Sequence, residues 1–164
     1  MEKRGLNRDV ITRAAVALLD EVGLAELSTR RLAAKLGVQS PTLYWHVKNK
    51  ADLLDLVAEA ICADEPDPDP AAPWREQVTS GLRQFRARLL AHRDAVPVLR
   101  EHPRRRDHVD TTARLLLDAG LSPDDAERGA RLLSAHVLES TTDDDLFETG
   151  VEIVLDGLEH RLLT

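Results

Sequence analysis

The sequence predicts an all-α protein in two parts: an N-terminal three-helix helix-turn-helix domain, then a larger helical domain. Three observations carry this reading. Ala, Leu, Arg and Glu dominate and alternating β-branched runs are absent, so the apolar residues recur at helical spacing. Glycine stops at Gly23 and Gly37 and serine restarts at Ser28 and Ser40-Pro41 follow each other at short intervals within the first fifty residues. The stretch CADEPDPDPAAPW, Cys62 to Trp74, holds four prolines and four acids and breaks the periodicity. The expected organisation is a helix-turn-helix domain over 1–50, a connecting helix over 51–62, a linker over 63–73 and a second helical domain over 74–164.

Asn7 can cap the first helix, whose apolar face of Val10, Ile11, Ala14, Ala15, Leu18 and Leu19 ends near Gly23. In LSTRRLAAKLG, Ser28 is placed as a cap, Leu27 and Leu32 as a hydrophobic staple, and Gly37 as the stop. Ser40 is expected to cap a third short helix with Pro41 in its first position and Thr42 to His46 following. Asn49, with Asp52 three residues on, opens a fourth carrying Leu53, Leu54, Val57, Ala58 and Ile61 inward. Beyond the linker, Val78, Leu82, Phe85 and Leu89 form one stripe, and Leu115, Leu116 and Ala119 end a helix at Gly120. Ser122, Pro123 and Asp125 restart another.

Two short helices joined by Gly37-Val38-Gln39 form a helix-turn-helix. Leu43 and Val47, four apart, can face the core with Val38, which leaves Thr42, Tyr44, Trp45 and His46 largely outward. Thr and aromatic carbons pack on thymine methyls and sugars, His and hydroxyls reach phosphates or base edges, and Arg30 on the preceding helix can bond guanine bidentately. The net charge of −7 conceals a local excess of cations, nine Lys plus Arg against five Asp plus Glu up to Lys50. The bland alternatives are an ordinary helical corner, a Trp45 buried as the core residue of its short helix, and lysines that are merely solvated. Lys50 at a helix start opposes the dipole and is more simply explained by a phosphate partner.

The segment LSTRRLAAKLGVQSPTLYWHVKNKADLLD, Leu27 to Asp55, resembles the DNA-binding segment of the tetracycline-repressor family of transcriptional regulators, specifically its tetracycline-repressor branch. That resemblance implies a repressor that is an all-helical homodimer, with helix-turn-helix domains on an inverted-repeat double-stranded DNA operator and C-terminal domains for dimerisation and a small-molecule inducer. Carried over by position, Thr29, Arg30, Thr42, Tyr44, Trp45, His46 and Lys50 match operator-contacting residues, Arg30 as a guanine reader and Lys50 as a phosphate anchor. Pro41 matches a residue whose ring lies against bases. Gln39 and Ser40 depart from the closest form of the motif and bear on operator preference.

The resemblance extends more weakly to LLAHRDAVPVL, Leu89 to Leu99, and to LFETGVEIVLDGLEHRL, Leu146 to Leu162, the latter like part of a dimerising bundle. Only STTDDD, Ser140 to Asp145, separates that last helix from its predecessor, where family members commonly have a longer loop and more helix. Small residues permit close helix approach, so Ala126, Ala130, Leu133 and Val137 on one helix and Gly150, Val154 and Gly157 on the last are expected at the dimer surface, with intrachain packing the alternative. Helical phase nominates Leu82, Phe85, Leu89, Leu99, Leu116 and His136 for the inducer pocket. Tetracycline pockets of the resembled branch use an Asn and a magnesium-holding His where Gly81 and Leu99 stand here, while Phe85 is retained. A small organic inducer other than magnesium-tetracycline is therefore expected.

Other classes find less support. The six histidines are dispersed; His102 and His108 flank PRRRD and read as solvated rather than as metal ligands, and the acids at 143–145 lack a calcium-loop pattern. No metal or cofactor is expected, and no catalytic constellation suggests an enzyme. One cysteine, Cys62, excludes an intrachain disulfide framework; no apolar run reaches membrane-spanning length and the start lacks a signal peptide, so a soluble cytoplasmic protein is expected, with no membrane partner. A helical scaffold without a DNA role and a transcriptional activator of the same fold remain the alternatives.

Overall fold

A computed structural model describes residues 6–63, 69–100, 102 and 105–163, the side chains of 105–107 excepted. The fold is all-α. Its elements are α1 (Arg8–Glu26), α2 (Thr29–Leu36), α3 (Ser40–Tyr44), α4 (Lys50–Cys62), α5 (Trp74–Ala91), α6 (Ala95–Arg100), α7 (Arg105–Asp118), α8 (Pro123–Glu139) and α9 (Asp144–Leu162). They divide into two compact units. The first comprises the chain up to Ala63 together with His92–His102, and the second the remainder. Thus α6, which falls within 74–164, clusters with the N-terminal helices. Part of the 63–73 linker and of the PRRRD segment lies outside the described residues.

In the first unit, Ile11, Ala15, Leu18 and Leu19 of α1 meet Leu32, Leu43, Leu53, Val57 and Ile61 in one core. Asn7 caps α1 by accepting from the Val10 N–H at 2.9 Å. Gly23 leaves helical geometry at φ 76°, ψ 170°, so the apolar run ends at a kink, as glycine permits at positive φ. A Cβ there would lie 2.9 Å from Asp94 Oδ2 and 3.0 Å from Arg93 Nε. Ser28 caps α2, and Leu27 and Leu32 are both buried as a staple. Gly37 ends α2 in the left-handed region, with its N–H on Ala34 O and that of Val38 on Ala33 O, a Schellman closure.

In the second unit, α8 packs against α5, α7 and α9. Ser122 accepts from the Asp125 N–H at 3.2 Å and donates to its carboxylate at 2.9 Å. The turn at 140–143 leads directly into α9, which Asp143 caps through the Leu146 N–H at 2.9 Å. The acids at 143–145 are therefore a cap and a first helical turn, where negative charge complements the helix dipole. Arg86 braces this corner from α5: its Nε donates to Thr141 O at 2.9 Å and its guanidinium lies 4.7 Å from the Phe147 ring centre.

Candidate nucleic-acid interface

The turn between α2 and α3 determines what the surface presents. The sequence places Ser40 as the cap of α3, but the helix begins at Ser40 and Gln39 is the cap, with no side-chain hydrogen bond. Pro41 still falls in the first turn, where its missing N–H costs little. The helix is also shorter than expected. It ends at Tyr44, and the His46 and Val47 N–H groups both close onto Leu43 O, at 2.8 and 2.9 Å. Leu43 and Val47 are buried as their spacing requires, and Val38 is half-buried.

Burying those two residues turns the intervening side chains to solvent. Trp45 is 86% exposed and Tyr44 59%, which removes the alternative of a core tryptophan. Arg30, Gln39, Ser40, Pro41, Thr42, His46 and Lys50 are exposed as well, and Thr29 is half-buried at the start of α2. The nominated residues thus share the α2–α4 region of the first unit. Exposing two large aromatic surfaces to water is unfavourable unless something covers them.

Asn49 starts α4 by accepting from the Asp52 N–H at 2.9 Å, while the Asp52 carboxylate accepts from the Lys48 N–H at 2.9 Å. Lys50 has an acceptor inside the chain, Leu24 O at 3.0 Å, just beyond the α1 kink. Its position at a helix start therefore does not by itself require a phosphate.

The inducer candidates divide between the units. Leu82, Phe85, Leu89 and Leu116 are buried in the second unit, whereas Leu99 is buried in the first. His136 belongs to the α8–α9 packing: its Nε2 lies 3.0 Å from Phe147 O and its ring fills the notch over Gly150. His108, expected to be solvated, is only 4% exposed and stacks on Phe85 with ring centres 4.1 Å apart. The Arg88 guanidinium lies 5.7 Å from the same ring centre. The signal for His108 was available, because it shares a helical stripe with Thr112 and Leu116, both buried. His102 is half-buried, its Nε2 2.7 Å from Asp55 Oδ1.

The nominated dimer residues also separate. Ala126, Ala130, Leu133 and Val137 are all 0% exposed within one chain, so their small side chains serve packing between its own helices and leave no surface for a second copy. Gly150 is likewise occupied by His136. Gly157 stays open, beside Val154 and the exposed Leu132 and Ile153, on a groove of about 540 Å³ along α8 and α9. The preference for small residues pointed to close helix approach correctly but could not say which helix approaches.

Among the described residues no group of three His, Cys, Asp or Glu is placed to hold a metal ion, and no helix is long and apolar enough to cross a membrane.

A buried Leu43–Val47 spine under an exposed Tyr44–Trp45–His46 surface, entered through a Gly37 turn, defines a helix-turn-helix protein. Comparison with known proteins makes the assignment more specific. The family described as bacterial regulatory proteins, tetR family, matches residues 11–57, and the tetracyclin repressor-like C-terminal domain matches residues 66–143. The chain belongs to the TetR family. Tetracycline repressor protein class C of Escherichia coli is 36% identical over 204 aligned positions, covering 97% of this chain and 93% of that protein. The alignment is longer than the 164 residues of the chain, so the relative carries residues that this chain lacks.

Two solved structures are similar over nearly their full length. BioQ with its natural double-stranded DNA operator superposes with TM-score 0.81 at 32% identity, covering 94% of this chain and 98% of that one. A TetR variant from Acinetobacter baumannii in complex with minocycline superposes with TM-score 0.83 at 32% identity, covering 95% and 98%.

Proposed function

We propose that the chain is a transcriptional repressor of the tetracycline-repressor branch, acting in the cytoplasm as a homodimer on an inverted-repeat operator and released by a small organic inducer. The single observation that carries this reading is the exposed Tyr44–Trp45–His46 surface, flanked by Arg30 and Lys48, on a family helix-turn-helix. Aromatic carbons suit thymine methyls and sugars, and cations suit phosphates and guanine edges. BioQ with its operator and the 36% identical class C repressor are the relatives that support it. A dimer would place two recognition helices about 34–36 Å apart, one turn of DNA, or a multiple of that. The open apolar groove of Leu132, Ile153, Val154 and Gly157 is the surface we assign to the second copy.

We assign the inducer to the second unit, around Phe85, with Leu82, Leu89 and Leu116 as its apolar wall and His108 and Arg88 as polar neighbours. Similarity to a minocycline-bound repressor favours a tetracycline. Against it stand Gly81 and Leu99 in place of the amide and imidazole, and the use of His136 between α8 and α9. The second consideration weighs more, because a polar drug loses affinity where its specific partners are missing.

Binding to DNA fragments upstream of the gene and its neighbours tests the reading: tight binding confined to inverted repeats supports it. Promoter transcription with and without the protein separates a repressor from an activator, which would use the same surface.

A further inference from the structure

The kink of α1 brings together three segments of the first unit around one residue. Leu24 follows Gly23. Its N–H donates to Asp94 Oδ2 at 2.8 Å, and its C=O accepts from Lys50 Nζ at 3.0 Å. Asp94 stands in the turn before α6 at φ 56°, the single non-glycine residue at positive φ among those described. Such a backbone is uncommon for a residue with a Cβ and is held when its surroundings stabilise it. Here they do. The Arg93 N–H donates to Asp20 Oδ1 at 2.9 Å, His92 Nδ1 lies 3.1 Å from Asp20 Oδ2, and the Arg93 guanidinium donates to Glu21 O at 3.3 Å. The turn is thereby fastened to α1 on both sides of the kink.

We infer that Asp94 is a positioning residue for DNA binding: by holding Leu24 through its N–H it fixes the residue whose carbonyl aims the Lys50 ammonium at the DNA backbone. The inference rests on the DNA-binding reading above. An ammonium has three N–H donors and no acceptor. One of them on Leu24 O leaves two for a phosphate, and the internal bond removes rotamer freedom from a long side chain before DNA arrives. The carboxylate holds the Leu24 N–H, in the Gly23–Leu24 peptide, and Lys50 holds the carbonyl of the next peptide, the two planes sharing the Leu24 Cα. Without the carboxylate the Gly23–Leu24 peptide loses its anchor just beyond the kink, and the Leu24 Cα that carries the carbonyl bonded to Lys50 is no longer held in place. The left-handed backbone also explains the residue type, since Asp tolerates this region better than most residues and supplies the oxygen that an N–H beyond a kink requires.

The salt dependence of operator affinity reads the Lys50 contact directly, because each lost phosphate contact lowers the slope of log K against log salt by about one unit. Asp94→Gly removes the carboxylate at a backbone angle glycine adopts without strain. It is expected to lower the slope by the same amount as Lys50→Ala, and the double variant is expected to match either single one, since both act on one contact. Asp94→Asn, which keeps an acceptor oxygen, is expected to retain the wild-type slope. A folded Asp94→Gly protein with the wild-type slope, or a double variant whose slope falls by the sum of the two, would overturn the inference. Hydrogen exchange at the Leu24 amide of the free wild-type protein gives an independent reading: protection supports the fixed peptide, and exchange at the unprotected rate refutes it. Loss of slope in Lys50→Ala alone leaves the DNA-binding reading standing and this one refuted. A wild-type protein whose DNA binding does not respond to salt would remove both.

Discussion

Tyr44 and Arg30 stand exposed for different chemistry, one as an apolar plate with a hydroxyl, the other as a fork of donors. Replacing either with Ala is expected to weaken specific operator binding by about 1–3 kcal/mol, with non-specific affinity less affected, as titration against operator and scrambled DNA will show. Gly23→Ala is a structural counterpart. It places a Cβ against Asp94 and Arg93 at a left-handed backbone angle, and a loss of about 1–3 kcal/mol in urea unfolding is expected. Residue roles were legible where the chemistry is local. Asn7, Ser28, Asn49 and Ser122 cap as their positions demand, because a cap and its N–H are three residues apart. Lys50, His108 and His136 were not legible in full. The stripe of His108 with Thr112 and Leu116 announces its burial, but no local pattern names the partners Leu24, Phe85 and Phe147, which stand on other elements.

At the scale of elements, two contacts decide how α9 lies. His136 enters the gap over Gly150, so Gly150→Ala must displace the ring and strain its bond to Phe147 O; destabilisation of about 1–3 kcal/mol is expected from thermal or urea unfolding. Arg83 reaches Glu148 with two hydrogen bonds, 2.9 and 2.6 Å, and the bonded guanidinium holds the Glu148 carboxyl below its usual range. A depressed carboxylate contributes stability that is present above its unfolded pKa and is lost as pH falls through the lower folded one. Both ends are solvated, so the effect is small. Urea midpoints of the wild type and Glu148→Gln are expected to differ slightly at neutral pH and to converge in acid. Helix boundaries in this region were readable from Gly120, Ser122 and Pro123, but α6 clusters with the first unit, where Ala95, Val98 and Leu99 are buried and His92, Arg93 and Asp94 make contacts that hydrophobic phase does not encode.

The chain is charge-polarised; its first unit exposes an aromatic helix, and its second unit has an open apolar groove along α8 and α9. Ile153 at 66% and Leu132 at 60% exposure are unlike the fully packed Ala126 and Ala130, and they are the surface we propose for the second copy. Ile153→Glu is expected to yield monomers in analytical ultracentrifugation, with the helical spectrum unchanged, and to weaken operator binding because two linked half-sites become separate. The all-α class, the helix-turn-helix and the outward placing of Tyr44 and Trp45 were visible in the sequence. The packing of the second unit was not, since four helices can share small residues in several ways. The central claim, a dimer that reads an inverted repeat through Tyr44, Trp45 and His46, is tested most directly by titrating the protein against an upstream inverted repeat, one of its half-sites and a scrambled duplex at a single stated salt concentration. The account predicts tight binding of two chains to the repeat, much weaker binding to the half-site and only non-specific binding to the scrambled duplex; equal weak binding to all three would contradict it.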